Sequence, residues 1–195
     1  MKRGLIAIFM IIILSVPCFA AERHADNKAF RAQQKTKVKE FQDQIKGENK
    51  EFRHSLKGMS PEEKTEAMKA HHEEQFGKRK EFRDKIHQEN KDFLTERLKN
   101  NSKLTDEEKS QLVKFFEEQH GENVSLRDKD HQENVDFFTK IAGDPNMSME
   151  QKKQAIKAHR EEQKTERKSH REQQKTERKD LMKKLKEGDE AVPSK

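Results

Sequence analysis

Apolar residues eleven apart constrain this chain more than any other feature. Phe30, Phe41 and Phe52 keep that spacing, as do Phe82 and Phe93, and Phe115, Leu126 and Phe137. Eleven residues span close to three helical turns, so positions at this interval return to one helix face. Filling in the intervening turns gives four parallel stripes. The first is Phe30, Gln34, Val38, Phe41, Ile45, Asn49, Phe52, Leu56, and the second is His71, Gln75, Arg79, Phe82, Ile86, Asn90, Phe93, Arg97. The third is Phe115, Gln119, Asn123, Leu126, Asp130, Asn134, Phe137, Ile141, and the fourth is His159, Gln163, Arg167, His170, Gln174, Arg178, Leu181, Leu185. Gln34, Gln75, Gln119 and Gln163 fall in register, and the segments FRDKIHQENKDF and LRDKDHQENVDF show the kinship directly. The chain is therefore an internal repeat of about 41–44 residues, one long helix per unit.

Helix starts are written in three places. Ser60, Thr105 and Ser148 each stand three residues before Glu63, Glu108 or Gln151, the pattern of a capping box. Gly58, Asn100, Asn101, Gly143 and Pro145 interrupt the stripes and mark the stops. The predicted helices cover 27–57, 61–99, 106–141 and 149–187, and connections this short imply antiparallel neighbours. Gly47, Gly77 and Gly121 fall inside helices as expected bends or weak points. The expected fold is all-α: four long antiparallel helices, a thin core led by Phe41, Phe52, Phe82, Phe93 and Phe137, and a poorly buried fourth helix. The expected organisation is a signal peptide over 1–21, an elongated helical domain over 22–187 and a disordered tail over 188–195.

Lys2 and Arg3 precede an apolar run from Leu5 to Val16, followed by the small residues Ala20 and Ala21. This is the build of a cleaved secretory signal, because the run is short for a membrane span and a polar chain follows it. Cys18 raises a lipoprotein reading, against which Pro17 stands where a lipobox takes a small residue. The expected location is periplasmic or secreted. Cleavage leaves no cysteine, which removes disulfides and thiolate metal sites.

Charge is unevenly placed. Between Lys152 and Lys186 there are 14 basic and 6 acidic side chains. Lys153, Lys157, Arg160, Lys164, Lys168, Arg171, Lys175 and Lys179 form a continuous cationic line on the fourth helix, flanking a stripe where His, Gln and Arg replace Phe and Ile. That line from Lys157 to Lys179, with Phe82 and Phe93, is the candidate partner-binding surface. It is suited to unfolded or acidic protein clients, with envelope polyanions as a further class and nucleic acid disfavoured by the interspersed acids. His71 and His159 occupy equivalent places in units two and four and are a candidate metal pair or pH switch. No nucleophile motif or phosphate-cradling loop is present, so neither an enzyme nor a cofactor is expected.

MSMEQ at Met147–Gln151, with LTDEE at Leu104–Glu108 and MSPEE at Met59–Glu63 as Glu-for-Gln variants, resembles the LTxxQ-type motif of the Spy/CpxP group of periplasmic chaperones. The resemblance covers three five-residue windows, and four in-register units depart from the family's pattern. It implies an ATP-independent chaperone that holds clients on a cationic surface, often as a homodimer. The rival expectations are a structural or protective charged-helix protein without a specific client, and a metal- or pH-responsive envelope stress sensor.

Overall fold

A computed structural model describes residues 21–190, and among these the regular structure is entirely helical. The four elements are α1 (Ala21–Ser55), α2 (Pro61–Lys99), α3 (Asp106–Gly143) and α4 (Met149–Glu190). The expected signal segment up to residue 20, Cys18 included, lies outside the described residues. Ala21, placed at the signal's end, opens α1. Residues 188–190 are helical rather than part of a disordered tail, and 191–195 lie outside the described span.

All three expected capping boxes form. The hydroxyls of Ser60, Thr105 and Ser148 accept from the N–H of Glu63, Glu108 and Gln151 at 3.2 Å. In return the three cap N–H groups donate to the Glu63, Glu108 and Gln151 side chains at 2.7 Å. Each box pairs donors that the first helical turn would otherwise leave without partners. At the far end of α1 the chain turns through Gly58 at φ +85°, a left-handed conformation that costs glycine least. Gly47, Gly77 and Gly121 do not interrupt their helices.

The chain divides between Arg97 and Leu98 into two compact units. In the first, α1 and α2 run antiparallel along an aromatic ladder. Phe30 stacks on Phe93 and Phe41 on Phe82, each with ring centroids 4.0 Å apart, and Phe52 stacks on His71 at 3.8 Å. Val38 and Ile45 are buried between these rungs. In the second unit α3 and α4 are antiparallel too, but the fully buried apolar residues stand at the ends of the seam: Leu112 and Leu185 toward one end, Ile141 toward the other.

Two expectations about the core need correction. The phenylalanines are half-buried rather than best buried, because a ring in a two-helix seam keeps an open edge. And α4 is not poorly buried along its middle: Gln163 is 4% exposed and Gln174 0%. The polar stripe of α4 faces α3, which answers it with polar residues of its own. No helix among the described residues is long and apolar enough to cross a membrane.

Candidate functional site

The cationic line of α4 is set by the seam behind it. Every seam residue from Ile156 to Arg178 is followed in sequence by Lys or Arg: Ile156–Lys157, His159–Arg160, Gln163–Lys164, Arg167–Lys168, His170–Arg171, Gln174–Lys175, Arg178–Lys179. One step along a helix turns the side chain by about 100°. Burying the seam therefore carries all of these cations onto one flank, where each is exposed.

The seam itself is a hydrogen-bonded ladder. Gln119 Nε2 donates to the Gln174 carbonyl at 3.0 Å, and Gln174 Nε2 to the Gln119 carbonyl at 3.2 Å. Asn123 Nδ2 reaches Gln174 Oε1 at 3.2 Å, and Arg178 donates to Gln119 Oε1 at 3.1 Å. Further along, Arg167 Nε meets Asp130 Oδ2 at 2.6 Å, Gln163 Nε2 donates to the Asp130 carbonyl, and Asn134 Nδ2 to Gln163 Oε1. Burial raises the Asp130 pKa, against the lowering pull of Arg167. These bonds fix the α4 backbone, and so hold the cationic flank in line.

Along the flank, charge is moderated at a regular interval. Glu150, Glu161 and Glu172, eleven apart, reach Lys153, Lys164 and Lys175 at 3.8, 2.8 and 3.3 Å. Such exposed i,i+3 pairs contribute little to stability. Lys157, Arg160, Lys168, Arg171 and Lys179 complete the row, and none of the row's cations bonds across the seam to α3. Arg171 Nε donates to the Arg167 carbonyl one turn earlier.

The other candidate residues are placed differently. Phe82 and Phe93 each stack one face on Phe41 and Phe30, and both rings are half-buried. His71 and His159 fall in different units, in matching surroundings. His71 Nε2 meets Asn49 Oδ1 at 2.9 Å beside Phe52, and His159 Nε2 meets Asn134 Oδ1 at 3.1 Å beside Phe137. Each asparagine donates its Nδ2 to the carbonyl four residues back, which turns Oδ1 toward the histidine. In both units this pair ties the two helices together. Asp130, Glu133 and Glu166 bring carboxylate oxygens within 4.8 Å of one another, but Arg167 and Lys129 already pair with them.

Sequence reasoning noted the register of Gln34, Gln75, Gln119 and Gln163 without assigning it a role. All four are buried, at 8, 3, 8 and 4% exposure. In the first unit Gln34 and Lys37 clamp Glu89, and Gln75 and Lys78 clamp Glu48, each by bonds of 2.7–2.9 Å. The two clamps are 41 residues apart in both partners, so the repeat in sequence becomes an approximate two-fold in space. A glutamine kept at one phase of an otherwise charged helix was the available signal. No family model, curated protein or solved structure matches this chain.

Proposed function

We propose that this chain is an exported, non-enzymatic binding protein of the periplasm, chaperone-like or adaptor-like, that engages unfolded or acidic protein segments through the cationic flank of α4. One observation carries the reading: an unbroken, exposed row of Lys and Arg from Lys153 to Lys179, about 39 Å long, held straight by a seam of hydrogen bonds. A helix that served only solubility would need no such alignment of its cations with a buried polar face. The half-exposed edges of Phe82 and Phe93 add apolar contact for unfolded clients in the other unit. The likeness of the three cap motifs to the Spy/CpxP group agrees with this role.

The test is suppression of aggregation of an acidic model client by the mature protein. Reversing Lys164, Lys168, Arg171 and Lys175 to Glu is expected to remove the activity while the helical content is kept. Wild-type activity is expected to fall steeply between low salt and about 0.3 M, where exposed charges are screened beyond roughly 10 Å. Unaltered activity in the reversed protein would refute the role of this flank. No activity of the wild type on any client would favour the structural, protective reading.

A further inference from the structure

The rule that builds the α4 row also operates in α1. There the seam residues Phe30, Gln34, Val38, Ile45, Asn49 and Phe52 are followed by Arg31, Lys35, Lys39, Lys46, Lys50 and Arg53. All six are exposed. They extend over 23 residues of one continuous helix, about 33 Å from the first to the last. Between Lys39 and Lys46 the same phase is filled by Gln42, so no apolar or acidic side chain interrupts the row. Asp43, one turn before Lys46, pairs with it at 2.5 Å, a milder neutralisation than the three glutamates supply on α4. The rule does not extend to α3, where the residues after the seam are Phe116, His120, Val124, Arg127, His131 and Val135.

We propose that the α1 row is a second binding site, equivalent to that of α4, and that its ligand is an extended acidic polypeptide segment. The row's chemistry selects the ligand class. Single-stranded nucleic acid is gripped by cations interleaved with aromatic stacking platforms, and this row has none. A membrane-surface helix needs a free apolar face, and the one α1 carries between Arg31 and Arg53 (Val38, Phe41, Ile45 and Phe52) packs in the seam with α2. Four of the six cations are lysines, mobile point charges that meet a carboxylate without demanding a fixed two-oxygen geometry. A chain of about twelve acidic residues, extended by its own repulsion, spans about 40 Å and covers the row end to end. The inference rests on the client reading given for α4, since both rows would act on the same kind of segment, one in each unit.

Stoichiometry separates the two. The probe is a fluorescent twelve-residue glutamate peptide, titrated calorimetrically against the mature protein at about 20 mM salt. The wild type is expected to bind two peptides per chain, and affinity to fall at least tenfold by about 0.3 M salt. A variant with Lys35→Glu, Lys39→Glu, Lys46→Glu and Lys50→Glu is expected to bind one, as is the variant reversed at Lys164, Lys168, Arg171 and Lys175. The combined variant is expected to bind none. Circular dichroism checks that helicity is kept. If the reversed α1 unfolds, the four Lys→Gln replacements are used instead, with the same expected loss of one site.

Two peptides still bound after the α1 changes would overturn the proposal and leave the α4 reading standing. A single wild-type site that is lost with α1 and kept with α4 reversed would overturn the α4 reading and the equivalence of the two rows; one lost with α4 and kept with α1 reversed would overturn the α1 site alone. No binding by the wild type overturns both. Tighter binding of oligothymidylate, or of vesicles rich in anionic lipid, than of the peptide at equal charge would overturn the assignment of the ligand.

Discussion

Gln174 shows how much one polar side chain can decide here. It is wholly buried, its Nε2 donates to the Gln119 carbonyl and to Glu122 Oε2, and its Oε1 accepts from Asn123. Gln174→Ala strips these partners of their bonds inside the seam, and a loss of about 1–3 kcal/mol in the second unit is expected from thermal unfolding. Gln173→Ala next to it, on the exposed face, is expected to stay within about 0.5 kcal/mol. In the first unit the decisive residue is Glu48. Hydrogen bonds from Lys78, Gln44 and Gln75 hold its carboxyl down at about 2, against an ordinary value of 4.5. Because the folded value is the lower one, its stabilising contribution is complete above pH 4.5 and fades as the pH falls toward 2. Glu48→Gln is therefore expected to flatten the acid limb of a melting-temperature profile between pH 5 and 2. An unchanged limb would mean that the clamp contributes nothing in solution. Asp130 works in the opposite sense, since its raised pKa favours the fold as protons are added, and it is present in both proteins of that comparison.

At the scale of the element, two hairpins from one repeat use different chemistry at equivalent places. The α1–α2 seam is an aromatic ladder with glutamine clamps between its rungs. The α3–α4 seam replaces most of those rungs with amides, Asp130 and Arg167. Phe82→Ala removes a stacked partner from Phe41, and about 2–3 kcal/mol is the expected loss, measured by circular dichroism melting. The figure stays at or below the roughly 3–5 kcal/mol of an enclosed core because these rings are half-open. An unmoved transition would place the Phe82 ring outside the seam. The element boundaries were largely legible beforehand: α2 at Pro61–Lys99 runs over the predicted residues, and α3 and α4 begin where their caps predicted. Capping is a local reaction between residues three apart, so neighbouring sequence suffices to read it. The start of α1 at Ala21 and the end of α4 at Glu190 carry no such signal and were misjudged by several residues.

Over the whole molecule, caps and stop residues set most of the helix ends, and periodicity determined the number of helices and which face of each would be shared. It also determined that Lys157 to Lys179 would fall on a single flank, because helical geometry converts spacing into direction without help from anything else. Which helices share a seam, and what that seam does to polar residues, only the tertiary structure decided. Gln119, Gln163 and Gln174 could have been solvated, as their polarity suggests. They are buried because an antiparallel partner brings a carbonyl or an amide to within 3.0–3.3 Å of each. A side chain's chemistry says that it can form a hydrogen bond, while the position of the second helix decides whether the bond is made to protein or to water. The same holds for Phe82, Phe93, His71 and His159: their shared phase was plain in the sequence, but their stacking partners stand 19 to 63 residues away along the chain in ways that only a folded hairpin defines.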